Sequence, residues 1–141
     1  MIISHSVVVF LDPSIKMYGQ VLLDIPCSGL GVMGRKPEIK YRLEQDSFAD
    51  LDSLQKEIVN TVCEYVKPGG TLVYSTCTLR KEENEKMVSY LTETLGFETE
   101  SLNPYIPEEL HSEDTKKGYL TLLPGTKSDG FFMARLKAPY I

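Results

Sequence analysis

Two cysteines and one aspartate are the residues of this chain whose types and surroundings could do covalent chemistry. Asp24-Ile-Pro-Cys27-Ser closes one apolar segment, and Ser75-Thr-Cys77-Thr78 closes another. A thiolate is a strong nucleophile that splits a difficult substitution into two easier steps, and a nearby carboxylate can stabilise charge that develops on the substrate. The unperturbed thiol titrates near about 8.5, so Cys77 needs a local positive field, a helix N-terminus or a base. Arg80 and Lys81 are close in sequence and are candidates for that field. A single cysteine is most often a small buried hydrophobe, which is how Cys63 reads beside an apolar helical stripe. For Asp24 the plain reading is a strand-end aspartate that caps the following turn.

The elements that must position these residues follow from periodicity. Val7 to Leu11 is a short apolar run rich in β-branched residues and ends at Asp12-Pro13, as a buried strand would. A second strand is predicted over Gln20 to Asp24. Phe48, Leu51, Leu54, Ile58, Val62 and Tyr65 recur at steps of three and four, which predicts one buried helical face, ended by Lys67-Pro-Gly-Gly70. Thr71 to Ser75 is the next strand, and a polar run from Arg80 leads to Met87, Val88, Leu91 and Leu95, with Gly96 as stop. Phe97 to Leu102, Tyr119 to Leu123 and Phe131 to Leu136 are later strands, the last two forming a hairpin, and 103–118 reads as a long surface loop.

The result is an α/β fold with parallel strands, helical crossovers and a final antiparallel hairpin, in one domain over 1–141. Ligands of open α/β sheets bind at the carboxyl ends of the strands, where Cys27 and Cys77 are both expected.

Gly29-Leu-Gly31-Val-Met-Gly34 matches the dinucleotide-binding glycine pattern literally. That fingerprint needs its first glycine in a tight turn directly after the strand and a helix opening on the third. Ile25-Pro-Cys-Ser28 intervenes, Pro37 breaks an early helix, and the acidic residues about 20 positions on, Asp50 and Asp52, fall in a predicted helix. The glycines read better as turn residues in a loop.

Asp24-Ile-Pro-Cys-Ser-Gly-Leu-Gly31 and Tyr74-Ser-Thr-Cys-Thr78 resemble the two cysteine motifs of the Fmu/Sun family of RNA cytosine-C5 methyltransferases. Arg35-Lys-Pro-Glu38, Leu54-Gln-Lys56, Lys67-Pro-Gly-Gly70, Glu82-Glu-Asn-Glu85 and Asp129-Gly-Phe-Phe132 follow the same family's order, so the resemblance covers about residues 20 to 137. It implies a Rossmann-like class I fold dependent on S-adenosylmethionine, here as an incomplete sheet: the carboxy-terminal part of the catalytic domain. It also implies methylation of cytosine C5 in RNA, specifically 16S rRNA, through a covalent bond from cysteine to C6. In that picture Cys77 is the nucleophile, while Cys27 assists removal of the C5 proton and release of the enzyme. Asp24 contacts the cofactor or the polar edge of the base. Asp129-Gly-Phe-Phe132 reads as structural. Gly125 stands where many relatives place histidine.

Composition sets the remaining bounds. An apolar fraction of 42% with 25% charged residues is that of an ordinary globular chain, and no stretch approaches the roughly 20 apolar residues that span a bilayer. With no basic, small-residue-terminated leader in view, a cytoplasmic protein is expected. Three cysteines without a C-x-x-C pair argue against a disulfide framework and a structural metal. The formal charge of −5 gives no chain-wide footprint for nucleic acid. Arg35, Lys36, Lys40 and Arg42 against Glu38 form a local stretch of net +3 that could touch phosphate, and it reads equally as a solvated loop. The family's glycine-rich cofactor loop and the acid after its second strand have no counterpart here, and Asp12 is left unassigned. A half-sheet would expose apolar faces, so self-association or a complementing chain is expected, with weak or no independent catalysis. The competing reading is a non-catalytic remnant or interaction module of the same fold.

Overall fold

The computed structural model describes residues 2–4, 7–9, 17–25, 45–125 and 130–140. Strands β1 (Ile2–Ser4) and β2 (Val7–Val9) pair antiparallel in a two-stranded sheet of their own. The main sheet runs β3 (Tyr18–Asp24), β4 (Val66–Thr76), β7 (Phe131–Lys137) and β5 (Glu98–Thr99), with β6 (Tyr119–Leu122) also pairing β7. β3 and β4 are parallel, joined through helix α1 (Gln45–Cys63); β7 is antiparallel to β4, β5 and β6. The expected α/β sheet with a closing hairpin is therefore present. The run from Val7 lies outside the main sheet.

Strand alternation places the core. Val21 and Leu23 of β3, Leu72 and Tyr74 of β4, and Phe132, Ala134 and Leu136 of β7 are buried. Against them pack Ile58, Val59 and Val62 of α1 and Met87, Val88 and Leu91 of helix α2 (Glu85–Glu93), so both helices cover the same face. Phe132 is the buried member of the Phe-Phe pair, edge-on to Tyr74 at 6.5 Å.

Three expectations need correction. The buried stripe of α1 is Gln55, Ile58, Val59 and Val62, and Leu54 is 43% exposed; the helix is rotated so that the amide of Gln55 meets a buried partner. Phe48's side chain lies outside the description. Pro68-Gly69-Gly70 does not separate helix from strand but lies inside β4. Register jumps there from Tyr18 opposite Val66 to Gln20 opposite Thr71, which leaves residues 67–70 as a bulge. Gly69 takes φ +75°, and a Cβ on Gly70 would meet the carbonyls of Lys67 and Gly19 at 2.8 and 2.9 Å, so two glycines are needed. Finally, 103–118 is not a plain loop: two 3₁₀ turns (Asn103–Tyr105, Glu108–Leu110) lead to a short helix α3 (Glu113–Lys117), capped by Ser112.

Candidate active site

Asp24 and Cys77 both lie at the carboxyl ends of the adjacent parallel strands β3 and β4. Asp24 stands opposite Ser75 in register, and the Ser75 hydroxyl donates to Asp24 Oδ1 at 3.1 Å. The Ile25 amide donates to the Ser75 carbonyl at 3.1 Å, carrying the ladder one residue beyond β3. Asp24 is exposed while Ser75 is buried, so the carboxylate sits at the sheet rim, tethered by a hydroxyl from below. Cys77 is half-buried, immediately beyond the last residue of β4. Cys27 and the basic residues Arg35, Lys36, Lys40 and Arg42 lie outside the described residues, as do Gly29, Gly31 and Gly34.

The residues on either side of Cys77 are fully buried and held by the turn before α2. Thr76 Oγ1 donates to Asn84 Oδ1 at 2.6 Å, and Asn84 Nδ2 donates to the Thr78 carbonyl at 2.9 Å. Thr78 Oγ1 donates to Glu83 Oε2 at 3.5 Å and accepts from the Arg80 amide at 3.2 Å. Glu83, with no exposed surface, also accepts from Gln55 Nε2 at 3.0 Å, and its main-chain carbonyl accepts from the Tyr74 hydroxyl. Tyr74, Thr76 and Thr78, two residues apart, thus all reach the Glu83-Asn84 pair. Residues from α1, β4 and the turn before α2 converge under the cysteine segment.

Sequence reading missed this support. Gln55, Glu83 and Asn84 stood in matched motifs without a role, because polar residues in polar runs read as surface. The available signal was a glutamine at the i−3 position to Ile58 on the buried helical stripe.

Arg80, suggested as a source of positive field for Cys77, is engaged by two carboxylates. Its guanidinium grips Asp52 with two bonds, 2.6 and 2.9 Å, and reaches Glu83 at 3.4 Å. The hydrogen bond it donates to Asp52 holds its pKa above the ordinary arginine value.

Cys63 is partly buried and packs against the core, in keeping with the expected apolar role. Burial pushes its thiol up to about 12 from an ordinary 9.0. The proton is held more tightly in the folded chain, so this group's stabilising contribution is whole below 9.0 and is lost as pH rises towards 12. Iodoacetamide at pH 8, followed by peptide mapping, is expected to modify Cys77 faster than Cys63; equal labelling of both would contradict a Cys63 thiol held protonated. Cys63 also lines a cavity of about 510 Å³ with Val66, Pro68, Ala138 and Pro139, at the opposite end of β4 from Cys77. No described helix is long and apolar enough to cross a membrane.

Comparison with known proteins agrees with this geometry. The family model for 16S rRNA methyltransferase RsmB/F matches residues 4–137. "Probable ribosomal RNA small subunit methyltransferase B" of Synechocystis is 38% identical over 129 residues, 90% of this chain and 29% of that protein. Ribosomal RNA small subunit methyltransferase F of Salmonella heidelberg is 38% identical over 125 residues, 86% of this chain and 26% of the relative. The solved structure of NSun6 from Pyrococcus horikoshii with SFG superposes with a TM-score of 0.65 at 30% identity, covering 83% of this chain and 29% of that one. The chain therefore spans under a third of the length of these relatives. With a family model matched over 134 of its 141 residues (4 through 137), and with the paired strand ends in place, the chain belongs to the RsmB/F family of 16S rRNA methyltransferases.

Proposed function

We propose that this chain carries the nucleophile-bearing part of an RNA cytosine-C5 methyltransferase acting on 16S rRNA, with Cys77 as nucleophile. The observation that carries the reading is the in-register placement of Asp24 beside Ser75, which sets an exposed carboxylate and a half-buried thiol at two adjacent carboxyl strand ends.

The Cys77 thiolate adds to C6 of the cytosine, and the C5=C6 electron pair moves into the ring, leaving C5 as a carbon nucleophile. S-adenosylmethionine, when bound, supplies the methyl group on a sulfonium. After methylation the C5 proton leaves to a base, with Cys27 assisting. Its electron pair restores C5=C6 as the sulfur–C6 bond breaks and returns the thiolate. Asp24 fits a cofactor or base contact, since an exposed carboxylate tethered by one hydroxyl can accept from an ammonium, hydroxyl or amino group. The neighbour NSun6, determined with SFG, an analogue of S-adenosylmethionine, supports that cofactor class. A target base within folded RNA must be splayed out to reach a strand-end thiol. Leu22 on β3 is 67% exposed, a large apolar side chain that a second copy or a complementing chain would bury.

The test is to mix the chain with S-adenosylmethionine and RNA carrying 5-fluorocytosine, whose C5 has no proton to release, and to look for a stable protein–RNA adduct by mass spectrometry. An adduct on the peptide containing Cys77 is the expected result. A folded chain that yields none, and that shows no heat of binding with S-adenosylmethionine, would be the non-catalytic remnant instead.

A further inference from the structure

We infer that Asn84 is the positioning residue of the reaction: its side-chain amide ties together the two residues that flank Cys77 and so fixes where the sulfur meets the base. This inference rests on the reading of Cys77 as nucleophile.

Asn84 occupies the N-cap position of α2, where an asparagine side chain ordinarily accepts from the first helical amides. It makes no such bond; its backbone lies at φ −109° and ψ −95°, and the side chain turns away from its own helix. Instead Oδ1 accepts from the Thr76 hydroxyl at 2.6 Å and Nδ2 donates to the Thr78 carbonyl at 2.9 Å. The orientation of the amide follows from its partners. The Thr78 carbonyl can only accept, so Nδ2 must face it. The Thr76 hydroxyl also accepts from the Thr78 amide at 3.4 Å, which directs its own proton to Oδ1. One side chain thus satisfies both ends of a three-residue arch with Cys77 at its middle. Thr76 and Thr78 are wholly buried and Asn84 is 1% exposed, so the clamp works where water does not compete.

The chemical consequence is geometric. A nucleophile presented on a pinned arch needs no reorganisation when the base arrives, whereas a displacement of roughly 1 Å can slow such a step about 100-fold.

Two uncharged substitutions remove the clamp from either side: Asn84→Ala, and Thr76→Val, which keeps the shape of the side chain and removes the hydroxyl. Three rates separate position from other effects. Adduct formation with the 5-fluorocytosine RNA is expected to fall about 100-fold in both variants. Alkylation of Cys77 by iodoacetamide, a small electrophile without orientational demand, is expected to be unchanged or faster, with an unshifted pH profile. Hydrogen exchange of the amides at residues 77–80 is expected to quicken. Adduct rates equal to the unmutated chain would overturn the inference. So would alkylation that falls in step with adduct formation, because Asn84 would then govern thiolate supply. If Thr76→Val alone folds, its rates decide. Should the unmutated chain form no adduct, the nucleophile reading has failed and exchange judges the clamp alone: faster exchange at 77–80 supports it, and unchanged exchange overturns it.

Discussion

Glu83→Ala is expected to destabilise the folded chain by about 3 kcal/mol, the low end of what removing one partner of a buried charged pair costs. Glu83 has no exposed surface, and its carboxylate receives Gln55 Nε2, Thr78 Oγ1 and Arg80 Nη1. The alanine leaves an amide, a hydroxyl and part of a guanidinium short of an acceptor in a place water does not reach, and opens a void beneath β4. For a chain of this size that corresponds to a fall in Tm of roughly 10 °C, measurable by circular dichroism. Glu83→Gln keeps the shape and one acceptor and is expected to lose clearly less. Asp52→Ala is expected to cost no more than about 1 kcal/mol, because Asp52 is 33% exposed and its pair with Arg80 is partly screened. A Tm for Glu83→Ala within about 2 °C of the unmutated chain would mean that the polar centre carries little of the stability.

That network marks the boundary of what local sequence shows. The strand ends bearing Asp24 and Cys77 were legible because short segments rich in apolar and β-forming residues stop at turn-prone Pro or Ser-Thr. Parallel pairing through α1 then places those ends side by side. The hairpin of β6 and β7 was legible for the same reason, as was the stop of α2 at Gly96, which takes φ +77°. Gln55 and Glu83 were not, because the hydrogen bond that pairs them in the interior joins positions 28 apart. A pattern of apolar residues puts Leu54 inside, whereas the helix turns Gln55 inward, where its amide is buried with Glu83 as a hydrogen-bond partner. Likewise Pro-Gly-Gly reads as a break between helix and strand, while in the fold it is a bulge that the ladder resumes beyond. The role given to Cys27 and the phosphate contact considered for Arg35, Lys36, Lys40 and Arg42 rest on the sequence.

Cys77→Ala is expected to abolish the covalent adduct altogether, while Asp24→Asn should slow its formation about 100-fold and leave it detectable. In the proposed mechanism the two differ because only sulfur forms the bond, while the carboxylate acts on charge that appears as the ring is activated. Asn at position 24 keeps an acceptor for the Ser75 hydroxyl, so the strand ends stay paired and the loss reports on charge alone. The readout is the rate of adduct formation by intact-mass analysis, with melting temperature followed in parallel. An adduct that persists in Cys77→Ala would move the nucleophile to another thiol. Cys63 is a poor candidate because its thiol is held protonated at the far end of β4, so the bond would then have to be sought at Cys27. An Asp24→Asn rate equal to that of the unmutated chain would assign the aspartate to the turn that follows β3 and leave stabilisation of the activated base to other residues.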